Sequence, residues 1–235
     1  MSRSLGASDK EELFFATLAH DLKNPVQAQL LSLKMLSDGA FGKLNNRQKD
    51  ILNIILESSN YMNNMLLSVL NSYKFDNGII YLDKKEVLAD ELIHNCINEV
   101  KTFAHSKNIK IIYKPCKIKL FADKIQLRRV ISNLLNNSIT YSFKNSDLTI
   151  STTGNDTNVI FSFANNSPEI PTDIKEHIFE KYVSGASTGI GLGLYFSKQV
   201  VEAHNGKIYC EGNGTSNKFI FEIPLKNIKQ SSIDL

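Results

Sequence analysis

The sequence predicts an α+β protein in which a two-helix hairpin, expected to form a dimeric four-helix bundle, precedes an α/β sandwich. Two observations support this prediction. Apolar residues recur at helical spacing through the first 75 residues, whereas helical and alternating patterns mix after them. Hydrophobic residues make up 42% of the 235 residues and charged residues 22%, which favours packed cores over a disordered chain.

The first helix is predicted from Glu11 to Ser37. Its apolar residues step by three or four positions and therefore share one face: Phe15, Leu18, Leu22, Val26, Leu30 and Leu33. Two glycines, Gly39 and Gly42, then interrupt the helical pattern.

The second helix is predicted from Asn46 to Tyr73. Its seam has heptad spacing and consists of Ile51, Ile55, Ser58, Met62, Met65 and Val69. Two helices alone bury little surface, so we expect a second copy to complete a four-helix bundle in a homodimer. The alternative is that the hairpin packs on the rest of its own chain.

The second half of the chain mixes short strands and helices after a turn at residues 76–78. Strands are predicted at 79–87, 109–113, 118–121, 148–152, 159–163, 207–210 and 218–223. Helices are predicted at 88–106, 123–141 and 173–182, and from a glycine-rich loop at 184–193 to about residue 204. This order predicts helices on one face of a mixed sheet.

These patterns divide the chain into five parts. Residues 1–10 form an N-terminal tail, 11–75 the hairpin, 76–81 a linker, 82–226 the α/β domain and 227–235 a polar tail.

Charge and hydropathy exclude several classes of protein. The net charge of +3 gives no electrostatic footprint for nucleic acid. No apolar run reaches the roughly 18 residues of a membrane-spanning helix, and the N-terminus lacks the apolar core of a secretory signal. The three cysteines fit neither a disulfide framework nor a zinc pattern. We therefore expect a cytoplasmic chain with no membrane segment.

A glycine-rich loop, residues 188–194, is the first candidate for chemistry. Gly189, Gly191 and Gly193 allow backbone N–H groups to approach an anion, and the following helix directs its N-terminus to the same place. The loop is neither a P-loop nor a good dinucleotide fingerprint. The alternative is a flexible hinge.

Two asparagines on one helix are the second candidate. Asn133 and Asn137 are four residues apart and therefore share a helix face. Carboxamide oxygens suit phosphates and hydrated magnesium. The alternative is that both are solvated surface amides.

A histidine inside the first helix is the third candidate. His20 is followed by Asp21, and Asn24 lies one helical turn further on the same face. Pro25 removes a helical N–H donor, so a bend is expected there. The alternative is a surface histidine near a tolerated proline.

The candidates, taken in order, carry a family resemblance. Four motifs resemble the H-box, N-box, F-box and second glycine box of sensor histidine kinases of two-component systems: residues 20–25, 133–142, 178–182 and 189–194. Together they span about residues 10 to 225. The resemblance implies a dimerisation and phosphoacceptor hairpin followed by an ATP-binding domain of the Bergerat (GHKL ATPase) type.

The resemblance also implies roles for the hairpin residues. His20 matches the phosphoacceptor, whose ring nitrogen attacks the γ-phosphorus of ATP. Asp21 matches the carboxylate that orients the ring and takes up its proton. Asn24 matches the amide that positions water when such proteins dephosphorylate their partner, a response-regulator receiver domain.

For the second domain the resemblance implies a site for ATP and Mg²⁺. Asn137 matches the magnesium ligand and Asn133 a nearby phosphate contact, while Tyr141 matches an aromatic residue beside the nucleotide. The loop that closes over the phosphates is matched by Gly189, Gly191, Gly193 and Leu194.

The sequence departs from the family pattern around its first glycine box, residues 165–171. Asn165 replaces the aspartate that accepts a hydrogen bond from the adenine amino group, and Ser167 and Glu169 replace two glycines. Thr140 stands where a basic residue is usual, and the lid at residues 183–188 holds no Lys or Arg. These departures predict weakened nucleotide binding.

Three functions follow for comparison. The leading one is a histidine kinase that autophosphorylates His20 from Mg-ATP, transfers the phosphoryl group to a response-regulator aspartate, and also acts as its phosphatase. The alternative is a phosphorelay, phosphatase or scaffold module whose degenerate ATP domain lacks autokinase activity. A chaperone or gyrase-like ATPase shares the predicted fold but fits the H-box badly.

Overall fold

The computed structural model describes residues 7–76, 82–183 and 191–225. The chain forms two compact units, Met1–Ile79 and Ile80–Leu235, and each is described by itself. No helix in the described residues is long and apolar enough to cross a membrane.

The first unit is a helical hairpin, as the sequence predicts. Helix α1 is Ala7–Ser37 and helix α2 is Asn46–Asp76, so α1 begins four residues before the predicted start. The loop between them reverses the chain at Gly39 and Gly42, which have φ values of +79° and +110°. Asn45 and Gln48 then bond each other's backbone N–H at 2.9 Å, a reciprocal cap that starts α2.

The two helices pack through a face one residue away from the predicted seam. Leu52 and Ser59 are buried, and Ser59 Oγ accepts a hydrogen bond of 3.2 Å from Gln29 Nε2. The predicted seam residues Ile51 and Met62 are instead 53% and 45% exposed in the single hairpin. The seam is therefore not the contact between α1 and α2.

The described residues of the second unit form two sheets and four helices. Its elements in chain order are β1 Lys85–Leu88, α3 Ala89–Ser106, β2 Lys110–Lys114, β3 Lys119–Ala122, α4 Lys124–Tyr141, β4 Asp147–Gly154, β5 Asn158–Asn166, α5 Thr172–His177, α6 Gly193–Ala203, β6 Lys207–Gly212 and β7 Ser216–Pro224. The five-stranded sheet has the order β2-β4-β5-β7-β6; β2 and β4 are parallel and the other pairs antiparallel. Strands β1 and β3 form a separate antiparallel pair.

The core lies between the five-stranded sheet and the helices. Side chains of β4 alternate between buried and exposed, as expected for a sheet with one covered face. Phe161 and Phe221 stack across β5 and β7 with ring centroids 4.5 Å apart. Helix α4 buries Leu127, Val130, Ile131, Leu134, Leu135 and Ile139. The predicted α/β sandwich with helices on a mixed sheet is confirmed.

Two predicted elements are shorter than the sequence suggests. The strand expected at 79–87 begins only at Lys85, because its partner β3 has four residues with which to pair. Residues 82–84 are not part of a strand, and residues 79–81 lie outside the described residues. The helix expected at 173–182 ends at His177. Tyr182 instead takes a φ of +66°, which directs its N–H to the Gly191 carbonyl, 3.1 Å away.

A buried histidine joins the end of α6 to the start of α4. His204 is 4% exposed, and its Nε2 accepts a 3.0 Å hydrogen bond from the Asp123 N–H. Its Nδ1 therefore carries the proton and donates to the Val200 carbonyl at 2.8 Å. Asp123 caps α4 by accepting from the N–H groups of Ile125 and Gln126. Burial lowers the pKa of His204, so the neutral ring that this arrangement needs is favoured.

Candidate functional site

The H-box, residues 20–25, lies in the middle of α1. His20, Asp21 and Asn24 all fall within the helix, which continues through Pro25. Asp21 and Asn24 are exposed, whereas the side chain of His20 lies outside what the structure describes. His20 and Asn24 are one turn apart on the backbone and share a helix face.

Asn133 ties α4 to the first turn of α6. Its Nδ2 donates to Ser197 Oγ at 2.9 Å, and that hydroxyl donates to the Gly193 carbonyl at 3.0 Å. A Cβ on Gly193 would lie 2.4 Å from Asn133 Oδ1. An alanine at position 193 would therefore have to displace the Asn133 side chain, which also holds the start of α6 through Ser197.

Asn137 lies one turn beyond Asn133 in α4. It is half-buried, and no described residue bonds its side chain. The neighbouring Asn136 differs, because it is exposed and donates to the Ser132 carbonyl at 2.8 Å. Tyr141, in the last turn of α4, is 43% exposed. Asn137 thus keeps its oxygen available for a ligand.

The N-terminus of α6 is suited to an anion. The helix begins at Gly193 and no side chain caps its first N–H groups. Such free N–H groups, together with the helix dipole, attract negative charge. Leu194 lies in this first turn and is half-buried, whereas Gly189 lies outside the described residues.

Gly191 closes the base of the loop. Its φ is +71°, and a Cβ there would lie 2.5 Å from the carbonyl carbon of Tyr182 and from the oxygen of Val183. The only room at this position is for hydrogen, since backbone cannot move aside as a flexible side chain can. The glycine pattern at 191 and 193 is thus explained by close packing within the described part of the loop.

Lys181 is a cation beside the start of α6 that the sequence pattern did not single out. Its Nζ lies 5.0 Å from the centroid of the Tyr195 ring in the first turn of α6. Cation–π contacts of this kind hold a charged group in place. Lys181 belongs to the F-box, two residues before the lid at 183–188 in which basic residues are absent from the sequence.

Asn165, at the end of β5, has a fixed amide orientation. It is 1% exposed, and its Nδ2 donates to the Ser138 carbonyl at 3.2 Å and to Ser142 Oγ at 3.1 Å. A carbonyl can only accept, so the amide nitrogen must face Ser138. The Oδ1 atom is consequently a buried acceptor with no partner in the described structure.

The altered first glycine box is held by β7. Asn217 Nδ2 donates to Ser167 Oγ at 2.6 Å and to the Pro168 carbonyl at 2.7 Å. The Ser167 N–H also donates to the Thr215 carbonyl at 3.2 Å. Glu169 is exposed, and its Oε2 lies 3.9 Å from the place that a Cβ on Gly214 would occupy. The serine that replaces glycine therefore takes part in a local hydrogen-bond network.

Thr140 replaces the usual basic residue, and its backbone carbonyl accepts a hydrogen bond from the ammonium group of Lys107. Lys107 Nζ donates to the Thr140 carbonyl at 2.5 Å and to the Ile139 carbonyl at 3.0 Å. Burial, followed by the nearby charge of Lys144, lowers the pKa of Lys107. This positive charge caps the C-terminal end of α4.

No group of His, Cys, Asp and Glu in the described residues could hold a metal by itself. A magnesium ion would need oxygen donors from a ligand as well as the amide of Asn137. Three features, each on α4 or hydrogen-bonded to it, are suited to groups of a ligand. Asn165 offers an acceptor for a base amino group, Asn137 an oxygen for a cation, and α6 an end for phosphates.

Comparisons with known proteins identify both units. Residues 10–78 match the family model "His Kinase A (phospho-acceptor) domain". Residues 122–227 match "Histidine kinase-, DNA gyrase B-, and HSP90-like ATPase".

Solved structures agree with these matches. The catalytic domain of histidine kinase ThkA is 30% identical, with a TM-score of 0.57, and the match covers 60% of this chain and 95% of that one. Full-length ShkA, solved in complex with AMPPNP, has a TM-score of 0.72 and 25% identity over 89% of this chain and 45% of its own.

Curated relatives extend the similarity over most of the chain. Sensor protein KdpD of Clostridium acetobutylicum is 26% identical over 88% of this chain, and sensor histidine kinase YvrG of Bacillus subtilis is 24% identical over 84%. The matches cover only 24% and 35% of those proteins' own lengths. The chain belongs to the sensor histidine kinase family of two-component signal transduction, and its second unit is an ATP-binding domain of the GHKL type.

Proposed function

We propose that this chain is the catalytic core of a two-component histidine kinase. His20 accepts the γ-phosphoryl group of Mg-ATP and passes it to an aspartate of a response-regulator receiver domain. Residues 11–75 form the phosphoacceptor unit and 82–226 the ATP-binding unit, joined by a linker at 76–81. Because both substrates belong to the cytoplasm, the activity is assigned there.

The unpartnered oxygen of Asn165 carries this proposal. Asn165 Oδ1 is one of five buried side-chain polar atoms without a partner in the described residues. A ligand that supplied its donor would remove a cost on the order of 1–3 kcal/mol. The exocyclic amino group of adenine is such a donor. The free N–H groups of α6 and the amide of Asn137 add the features that a triphosphate with its magnesium needs.

The transfer to His20 is an in-line displacement. A ring nitrogen of His20 forms a bond to the γ-phosphorus while the bond to the β–γ bridging oxygen breaks and ADP leaves. Asp21 orients the ring and accepts the proton released from its other nitrogen. Asn137 would hold Mg²⁺, which when bound would supply positive charge to offset that of the phosphate oxygens. Gly191 and Gly193 would let the described end of the glycine-rich loop approach the phosphates closely, and Lys181 would add positive charge near them.

Asn133 on α4 and Leu194 on α6 act at the same site from neighbouring helices. Asn133 keeps the start of α6 in place through Ser197, and Leu194 follows Gly193 in that turn. Tyr141 covers the nucleotide from the end of α4, where its ring is exposed.

The exposed seam of α2 supports a homodimer. Ile51, Ile55 and Met62 are 53%, 40% and 45% exposed and repeat at heptad spacing. A second hairpin would cover these side chains and complete a four-helix bundle.

A second candidate function is a phosphorelay or phosphatase module without autokinase activity. Two replacements favour it. Glu169 adds a negative charge to the first glycine box, and Thr140 removes a cation near the phosphates. In this function His20 exchanges phosphoryl groups with receiver domains, and Asn24 positions water for their dephosphorylation.

Phosphoryl transfer to a receiver domain separates the two functions. The chain is incubated with radiolabelled ATP and magnesium, excess ATP is removed, and an unlabelled receiver domain is added. The kinase predicts label on the chain and then on the receiver. The relay predicts no label from ATP, but label on the chain when a phosphorylated receiver is the donor.

A further inference from the structure

We infer that Ser142 is a positioning residue that sets base specificity, because it helps to lock the neutral amide of Asn165 with its oxygen toward the base. This inference rests on the proposed nucleotide site and names the group that selects among nucleotides. The base is selected by the Asn165 amide, whose two N–H groups both donate hydrogen bonds to atoms inside the protein.

Two acceptors at the C-terminal end of α4, on Ser138 and Ser142, fix the orientation of the Asn165 amide. The Ser142 hydroxyl donates to the Ser138 carbonyl, with an O–O distance of 2.6 Å, and so presents its own lone pair to Asn165. Asn165 Nδ2 donates to that hydroxyl oxygen and to the Ser138 carbonyl. Both serines are buried, at 1% and 8% exposure for Ser138 and Ser142. A rotated amide would lose both bonds and place its oxygen against a carbonyl.

The fixed orientation has a consequence for the base. Asn165 Oδ1 can only accept, so it pairs with the amino group of adenine. The keto oxygen of guanine or hypoxanthine at the same position would face this acceptor and leave both atoms without a donor. Sites that bury an unpaired polar group reject such ligands by factors of about 10 to 100.

The two acceptors on Ser138 and Ser142 also favour asparagine over the aspartate that is usual in the family at position 165. In Asn165→Asp, one carboxylate oxygen would take the place of Nδ2, 3.2 Å from the Ser138 carbonyl oxygen. Two acceptors at that distance repel, and the carboxylate gains at most a donor from Ser142. In this chain, therefore, the family residue fits its own surroundings worse than the asparagine does.

The test compares ADP with IDP, which differs from it at the base position that faces Asn165. Binding is measured by calorimetry with magnesium at pH 7.5 on the full chain. We expect the wild type to bind ADP at least tenfold more tightly than IDP, on the order expected for one unpaired buried group. Ser142→Ala should reduce this ratio about fivefold or more, and Ser142→Thr should restore it. Asn165→Asp should bind ADP about tenfold more weakly.

Ser146→Ala is the matched control, because its hydroxyl donates only to the Phe143 carbonyl in the segment after α4. It should leave the ratio unchanged. Equal binding of ADP and IDP by the wild type, an unchanged ratio in Ser142→Ala, or tighter ADP binding by Asn165→Asp would overturn the inference while leaving a nucleotide site intact. Failure of the wild type to bind either nucleotide would instead overturn the proposed function as well.

Discussion

Asn133 Oδ1 occupies the space in which Gly193 would carry a Cβ, 2.4 Å from the ideal position of that atom. The same side chain donates through Nδ2 to Ser197, so it cannot swing away without losing a hydrogen bond. This contact limits how closely α4 and the first turn of α6 approach each other.

Gly193→Ala should therefore destabilise the ATP-binding unit by about 1–3 kcal/mol, the usual cost of overpacking. The same change should weaken nucleotide binding, because the first turn of α6 must shift. Adding Asn133→Ala removes the obstructing oxygen and should recover part of the lost stability. Urea unfolding of the single and double variants measures this recovery. Strictly additive losses would show that the two residues do not compete for space.

Gly191→Ala should weaken nucleotide binding more than Gly214→Ala, although both replace a glycine that has a positive φ. Gly191 combines a φ of +71° with backbone atoms 2.5 Å from the Cβ position. Gly214 has a φ of +87° but its nearest neighbour is 3.9 Å away, so Gly214→Ala is a control for backbone strain alone. That strain costs about 1–2 kcal/mol. Nucleotide affinity should fall in Gly191→Ala and remain near the wild-type value in Gly214→Ala. If both variants lost nucleotide affinity equally, the close contact of position 191 with Tyr182 and Val183 would not be the cause.

Asn137→Ala should remove the magnesium-dependent part of nucleotide binding. The amide has no described partner, so its loss should cost little stability. ADP affinity is measured with magnesium and again with a chelator, and the gain from magnesium should shrink about tenfold. Asn136→Ala is the matched control on the same helix, since that amide bonds the Ser132 carbonyl. A full magnesium effect in Asn137→Ala would exclude Asn137 as the ligand.

Much of this molecule follows from sequence periodicity. The apolar spacing predicts both hairpin helices, and the alternating pattern of strands such as β4 predicts the covered sheet. These signals are local, because a helix or strand face is set by residues within one or two turns. The N-box and the second glycine box likewise place Asn133 and Asn137 on α4 and Gly193 at the start of α6, where the structure has them.

Contacts between distant residues could not be predicted in the same way. Ser197 lies 64 residues from Asn133, and Ser142 lies 23 residues from Asn165, so no local pattern reveals either bond. The short β1 strand has the same origin, because its length is set by its partner β3. The packed face of α2 differs by one residue from the predicted seam, since Leu52 and Ile51 are equally apolar.

His204 should make the ATP-binding unit less stable at acid pH. Burial lowers its pKa below the ordinary 6.5, so the unfolded chain binds a proton more readily than the folded one. Its contribution is complete above about pH 6.5 and is lost progressively as the pH falls below that value. His204→Gln should lower stability by about 1–2 kcal/mol at pH 7.5 and reduce the further loss toward pH 5.5. Urea unfolding at both values measures this, with exposed His105→Gln as control; an undiminished acid loss in His204→Gln would assign the effect to other groups.

The most direct test of the central claim is the phosphorylation of His20 by ATP. The purified chain and His20→Gln are incubated with radiolabelled ATP and magnesium, and the label is tested for acid lability. The account predicts acid-labile phosphate on the wild type only, with the variant still dimeric and still able to bind ADP. An acid-labile label of equal strength on His20→Gln, or no label on a folded wild-type dimer that binds ATP, would contradict it.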